Sequence, residues 1–130
     1  MDIPEFLSDL RATLPPEDLV TWYHAFGDPD LVDLFVERGD GCTLFATVAT
    51  WLDDARVMIE EYRFESIPNE ALMDFIQMFT VDLFAIRLVR KLFTRRLELS
   101  LVIRGVSYTS LRRARDIEPW EESHLNLAAE

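Results

Sequence analysis

The amino-acid sequence predicts a mainly α-helical protein, a compact single-domain bundle of about five to six helices. Three observations lead to this prediction. The chain has 130 residues, 49% of them apolar and 12% aromatic, which suffices for one buried core and is atypical of a disordered chain. Apolar residues recur at spacings of three and four, as on one side of a helix. No linker long enough to separate two domains interrupts the chain.

Three helices are predicted before residue 40. The first covers residues 3–14 and ends at Pro15-Pro16. The second is short, begins near Pro16 and ends at Gly27. The third has Asp28 as its N-cap and Gly39 as its C-terminal stop. Their apolar stripes are Ile3, Phe6, Leu7, Leu10 and Leu14, then Leu19, Trp22, Tyr23 and Phe26, then Leu31, Leu34 and Phe35.

The middle of the chain is open to two interpretations. Gly39-Asp40-Gly41 predicts a turn, and residues 43–64 then favour a fourth helix with an apolar stripe. The segment 42–50 is rich in β-branched residues, so a strand across 43–50 is the alternative. Pro68 marks the start of the next helix. The stripe of the fourth helix contains Leu44, Val48, Leu52, Ala55, Ile59 and Tyr62.

The run 69–93 contains no Gly or Pro and predicts a long helix that is apolar on two sides. Such a helix is central in a bundle, or buries its second stripe against another chain. Beyond Thr94 the apolar residues alternate, so a small β-hairpin near 96–111 competes with a sixth helix that ends at Arg115. The helix is favoured because two strands alone are marginal in water. Residues 1–116 form the predicted domain, and residues 117–130 an acidic, partly mobile tail.

The net charge of −11 is divided unevenly along the chain. Residues 1–75 hold 17 acidic and 4 basic residues, whereas residues 76–116 hold 3 acidic and 9 basic residues. Residues 117–130 add four Glu and no base. This segregation predicts either two charged surfaces for different partners, or two halves that neutralise each other across the fold. Internal neutralisation is the favoured interpretation.

No grouping of residues indicates catalysis. Cys42 with His24 or His124 matches no nucleophile signature, and adjacent carboxylates on a helix cannot converge on one metal ion. No Gly-rich phosphate cradle is present. We therefore expect no enzyme activity, no metal and no cofactor. Asp82 is unusual, because it interrupts the most apolar run and must pair with an Arg from another helix, reach the surface or face a partner.

The sequence carries no export signal and no stretch of about 18 apolar residues that could span a bilayer. One cysteine excludes an internal disulfide. We therefore expect a cytoplasmic protein with no membrane contact.

The leading functional prediction is a non-catalytic, acidic protein-protein interaction domain. Small inhibitors, antagonists and immunity-type proteins, including phage-encoded antagonists of host defence, use acidic surfaces as charge mimics that mask a basic surface of a larger protein or protein-nucleic acid complex. On the predicted fourth helix, the candidate partner-binding residues lie away from the apolar stripe. They are Asp53, Asp54, Glu60 and Glu61.

Two alternatives stay open. One is a homodimeric chaperone or assembly adaptor, in which the helix 69–93 offers an apolar groove. The other is a nucleic-acid-associated regulator that uses the Arg-rich segment 87–115, although the acidic net charge argues against direct nucleic-acid binding. Its candidate basic patch consists of Arg90, Lys91, Arg95, Arg96, Arg112, Arg113 and Arg115.

Overall fold

The computed structural model describes residues 1–125, apart from the side chain of Lys91, and within them it contains eight β-strands, three α-helices and one short 3-10 turn. The strands form two antiparallel sheets, one of five strands in the order β1-β2-β3-β4-β5 and one of three in the order β6-β7-β8. The five strands are Leu19–His24, Leu31–Glu37, Thr43–Ala49, Asp54–Ile59 and Tyr62–Pro68, and the three are Ala85–Lys91, Thr94–Ile103 and Val106–Arg113. The helices are α1 (Ile3–Thr13), α2 (Asn69–Thr80) and α3 (Pro119–Glu122).

Helix α1 forms where the sequence predicts it. The Asp2 side chain caps its first turn by accepting the N–H of Glu5 at 3.1 Å, and the helix ends just before Pro15-Pro16. Its apolar stripe is buried in the core. The first predicted helix is therefore confirmed.

Both helices of substantial length pack on the inner face of the five-stranded sheet. On β2, Val32, Leu34 and Val36 point into the core, and their neighbours point outward, as the period of a strand requires. Helix α2 contacts strands of both sheets, and β5 lies beside β8. One continuous hydrophobic core therefore connects α1, α2 and the inner faces of the two sheets.

The prediction of an all-α helical bundle is wrong, because residues 19–68 form five strands instead of three helices. The physical reason is that a spacing of four residues fits both a helix turn and two strand repeats. Leu44 and Val48 share the inner face of β3, and Ala55 and Ile59 share that of β4. The strand alternative across 43–50 was the better interpretation, and the predicted turn at residues 39–41 connects β2 to β3.

The long helix predicted across 69–93 is also wrong beyond Thr80. Helix α2 ends there, Asp82 adopts a positive φ of 64° in the following turn, and residues 85–91 form β6. No Gly or Pro marks this break. The sixth helix is replaced by the β7–β8 hairpin, which was the alternative near 96–111; the sheet partner that it needed is β6.

Candidate functional site

The tip of the β6–β7 hairpin is the most unusual apolar feature of the surface. Lys91 pairs with Thr94, so Leu92 and Phe93 form a two-residue loop. Their relative exposures are 99% and 102%, which means that neither side chain packs against the described residues. Leu92 and Phe93 therefore bury no apolar surface in the core and do not stabilise the fold in that way.

The backbone angle at Leu92 is unfavourable for a residue with a side chain. Leu92 has a φ of +52°, in the left-handed region where a two-residue hairpin loop normally places Gly or Asn. A side chain with a Cβ and branching at Cγ is strained there. The first residues of the β4–β5 and β7–β8 turns, Glu60 and Arg104, have the same positive φ, so the angle belongs to the turn type. The feature of Leu92 that core packing does not explain is its fully exposed apolar side chain.

Exposed arginines surround this tip. Arg90 on β6 pairs in register with Arg95 on β7, and Arg96 on β7 pairs with Arg113 on β8. Arg90 and Arg95 lie on the inner side of the sheet, whereas Arg96 and Arg113 lie on its outer side. We call these four residues the arginine collar. Arg115 follows shortly after β8, where the Ala114 N–H donates to the Arg95 carbonyl at 3.0 Å.

No acidic side chain among residues 1–125 forms a salt bridge with the arginine collar or with Arg115. Other arginines of the basic segment are paired. Arg87 contacts Glu98 at 2.9 Å and Arg104 contacts Asp74 at 3.2 Å. Of these two ion pairs, Arg104–Asp74 joins the basic segment to the acidic first 75 residues, as internal neutralisation predicts, whereas Arg87–Glu98 lies within the basic segment. Lys91 belongs to the predicted patch, but its side chain lies outside the described part.

Arg112 was predicted to be part of the exposed basic patch, but its side chain is buried away from the other arginines. It is buried, and its guanidinium forms a two-pronged ion pair with the fully buried carboxylate of Glu121 on α3. The Tyr62 hydroxyl donates to the same carboxylate, and the guanidinium lies 5.8 Å from the Tyr62 ring centroid. This cluster attaches the residues after β8 to the junction between the two sheets.

The pKa values of the cluster follow from burial and pairing. Burial by itself raises the pKa of Glu121, but hydrogen bonds from Arg112, Tyr62 and the Glu118 N–H hold it below its ordinary value. The hydrogen bond to Glu121 raises the pKa of Arg112 against the opposing effect of burial. Both groups are therefore charged at neutral pH.

The four predicted acidic residues do not form one cluster. Asp53 and Asp54 lie at the start of β4, whereas Glu60 and Glu61 form the turn at its end. About 20 Å separates the ends of a six-residue strand. Three of the four also serve the fold: Asp54 accepts from Ser66 at 2.5 Å, Glu60 from the Thr43 N–H at 3.3 Å, and Glu61 lies 3.7 Å from Arg112.

The outer face of the five-stranded sheet carries a second apolar feature, a row of side chains that crosses strands β1 to β4. Phe35, Phe45 and Met58 are cross-strand neighbours, and the Phe35 and Phe45 rings lie 4.8 Å apart. Tyr23 stacks on Phe35 at 6.1 Å. We call these four residues the aromatic row. The next row of the sheet holds Asp33, Thr47 and Arg56.

An apolar groove of about 550 Å³ lies between α1 and β1, with Ile3, Leu7 and Trp22 in its lining. Arg11 covers part of it, since its guanidinium lies 4.4 Å from the Trp22 ring centroid. The groove predicted on the helix 69–93 does not form, because the stripe Leu72, Phe75, Ile76 and Phe79 is buried in the core.

Cys42 is buried, and its thiol is poorly suited to act as a nucleophile. Burial raises the pKa of the Cys42 thiol to about 12, and the nearby carboxylate of Glu60 adds to this, so the thiolate is scarce at neutral pH. No group of three or more His, Cys, Asp or Glu within residues 1–125 is placed to hold a metal ion. Asp82 pairs with Arg38, which follows strand β2 and is not on a helix, and it lies 3.1 Å from the His124 ring. Its side chain is half-exposed, so it also reaches the surface.

Sequence reasoning did not identify the hairpin tip or the Tyr62-Arg112-Glu121 cluster. A signal for the tip was present, because residues 83–97 contain five basic residues and no acidic one, with Leu92-Phe93 between the bases. The prediction of a helix across 69–93 concealed this signal.

No helix of the described chain is both long and apolar enough to cross a bilayer.

Comparison with known proteins finds no family model, no curated protein and no solved structure that matches this chain.

Proposed function

We propose that this protein is a non-catalytic binding domain that docks on an anionic partner surface through the tip of the β6–β7 hairpin. The observation that carries the proposal is the pair of fully exposed residues, Leu92 and Phe93, behind which lie four arginines that form no salt bridge with an acidic side chain of residues 1–125. Opposite charge attracts the partner, and apolar contact at the tip then slows its release. The raised pKa of Cys42 supports a role without nucleophilic catalysis.

The proposed partner has an anionic surface, whereas the sequence favours a partner with a basic surface. Masking of a basic partner by Asp53, Asp54, Glu60 and Glu61 stays a prediction, which the separation of the two acidic pairs weakens. An antagonist or adaptor role, and a location in the cytoplasm, are compatible with binding through the hairpin and are part of the proposal. The nucleic-acid alternative uses most of the same arginines, with Arg112 withdrawn into the Glu121 cluster.

Retention on a dextran sulfate column tests the electrostatic part of the proposal. A protein with a net charge of −11 is repelled by this matrix unless a basic region faces it. We expect the wild type to be retained, and Arg95→Gln/Arg96→Gln to elute at lower salt. The matched control is Arg87→Gln/Arg104→Gln, which removes the same charge from exposed but ion-paired positions on the same sheet. Loss of retention in both variants alike, or no retention of the wild type, contradicts the proposal.

A second candidate function is self-association through the outer face of the five-stranded sheet. Two residues of the aromatic row are exposed, Tyr23 at 54% and Phe35 at 38%, and the other two, Phe45 and Met58, are half-buried. In the adjacent row, Asp33 and Arg56 are both neighbours of Thr47 on the central strand β3. A two-fold axis along β3 therefore places Asp33 of one copy opposite Arg56 of the other, and Phe35 opposite Met58. This charge pattern is self-complementary, so a second copy of the chain fits the face.

Light scattering on charge variants tests this homodimer. We expect the wild type to dimerise, Asp33→Arg to be monomeric because like charges then face each other, and Asp33→Arg/Arg56→Asp to dimerise again. Circular dichroism of each variant verifies the fold. A monomeric wild type, or an exchange variant that stays monomeric while folded, contradicts the homodimer.

A further inference from the structure

We propose that the anionic partner surface is a lipid bilayer, into which the hairpin inserts Leu92 and Phe93 between acidic headgroups. This inference rests on the proposed function, because it names the partner of the same hairpin tip. It concerns contact with one leaflet, since the described chain contains no helix able to cross a membrane.

The depth of the hairpin tip fits the interfacial region of a bilayer. Arg90 and Arg95 lie two residues behind the loop, which places their backbone about 7 Å from it at the rise of a strand. Apolar groups of interfacial proteins penetrate about 5–10 Å into the boundary between headgroups and acyl chains. With Leu92 and Phe93 at that depth, the long arginine side chains reach the phosphate and carboxylate layer.

The arrangement of the arginines distinguishes a bilayer from a nucleic acid. Two collar residues lie on each side of the sheet, so a flat anionic surface that meets the hairpin end-on contacts both sides together. A nucleic-acid strand instead follows a groove with cations and stacking aromatics along one face. Phe93 is the one aromatic residue of the loop, and its neighbour Leu92 offers no ring for stacking.

The charge of the remaining molecule also favours end-on contact. Most acidic residues belong to the first 75 residues, and no acidic residue occurs between Asp82 and Glu98. Repulsion between the acidic body and the leaflet is screened over about 8 Å at physiological ionic strength. Glu61 and Asp116 lie beside Arg112, which pairs with Leu97 four residues behind the loop. The tip therefore projects about 13 Å beyond these carboxylates, which is more than the screening length.

Co-sedimentation with vesicles tests the proposal. We expect wild-type protein to bind vesicles of phosphatidylcholine with about 30% phosphatidylserine, and to bind pure phosphatidylcholine at least about tenfold more weakly. Leu92→Ser/Phe93→Ser should lose about tenfold or more of the binding to acidic vesicles. The matched control is Phe26→Ser/Leu83→Ser, which removes two exposed apolar side chains from other turns and should bind within about twofold of wild type.

A fluorescent probe tests insertion directly. An environment-sensitive dye on Leu92→Cys should shift to shorter wavelength with acidic vesicles, because the site leaves water. The native Cys42 is buried and stays unlabelled. The same dye at Phe26→Cys should not shift.

The outcomes separate this inference from the proposed function. Hairpin-dependent retention on dextran sulfate without vesicle binding overturns the bilayer and leaves the anionic surface. Binding of a single-stranded oligonucleotide in preference to acidic vesicles also overturns the bilayer and favours nucleic acid. Failure to bind any of the three overturns both proposals. Support requires that Leu92→Ser/Phe93→Ser lose vesicle binding but keep its dextran sulfate retention.

Discussion

At the scale of single residues, the Tyr62-Arg112-Glu121 cluster is the part of the molecule most sensitive to substitution. Glu121→Gln removes the buried carboxylate from Arg112 and leaves it only the exposed carboxylates of Glu61 and Asp116, so we expect unfolding free energy to fall by about 3 kcal/mol. The control Glu122→Gln alters an exposed neighbour on the same helix and should change stability by less than about 0.5 kcal/mol. Urea denaturation measures both. Equal small losses in the two variants would show that the ion pair contributes little.

The pH dependence of stability reports on the same residue. The pKa of Glu121 is lower in the folded state than its ordinary value of 4.5, so its contribution is present above that pH. The contribution is lost as the pH falls below 4.5 and through the folded pKa. We expect the stability gap between wild type and Glu121→Gln to be constant near neutral pH and to narrow in acid. Urea denaturation at several pH values measures the gap, and a gap that widens in acid contradicts the assignment.

The sequence could not separate Arg112 from Arg113. Both are arginines at the end of one strand, and consecutive strand residues point to opposite faces. Which face meets Glu121 depends on the register of β8 with β7 and on the placement of α3, and neither is written in the local pattern.

At the scale of elements, α2 connects the two sheets through Phe75. The centroid of its ring lies 5.0 Å from that of Phe64 on β5 and 6.5 Å from that of Tyr108 on β8. Phe75→Ala leaves a cavity at this junction, so we expect a loss of about 3–5 kcal/mol in unfolding free energy. Glu70→Gln, at an exposed position of the same helix, should have little effect. Chemical denaturation checks both, and a loss below about 1 kcal/mol would mean that the core collapses around the gap.

The hairpin loop is an element in which stability and binding should oppose each other. Leu92→Gly removes the strain of a side chain at a φ of +52°, so we expect the variant to be more stable by up to about 1 kcal/mol. The same change should weaken binding to acidic vesicles because half of the apolar tip is lost. Phe93 has no positive φ, so Phe93→Gly should weaken binding without stabilising the protein. Thermal unfolding and co-sedimentation together test this, and a stabilised variant with unchanged binding contradicts the role of Leu92.

The sequence predicted helix or strand correctly only where the spacing of apolar residues fitted one of the two structures and not the other. Helix α1 combines a cap, a stripe with three-residue spacings and a Pro stop, so one interpretation remained. In β2, the pattern Leu31, Leu34 and Phe35 suggested a helix, although the buried residues are Val32, Leu34 and Val36. Exposed apolar residues of the outer face completed the false helical stripe, because sequence does not reveal which apolar residues are buried.

At the scale of the whole molecule, one core spans both sheets, so we expect one cooperative unfolding transition. Trp22 on β1 and Trp120 on α3 both pack against this core and lie near opposite ends of the described chain. Of the three tryptophans, one variant keeps only Trp22 and another only Trp120, and within each variant the urea midpoint by fluorescence should coincide with that by circular dichroism. Two probes that give different midpoints for the same variant would show that the sheets unfold separately.

The sequence by itself determined the composition of a single core, the first helix, the turn at residues 39–41 and the separation of acidic from basic segments. These properties are local or additive along the chain, so they survive without knowledge of tertiary contacts. The tertiary structure decided that residues 19–68 pair as strands and that Arg112 is buried while Arg90, Arg95, Arg96 and Arg113 surround an apolar tip. Strand pairing and burial depend on contacts between distant residues, and a spacing of four residues is compatible with either structure until those contacts are known.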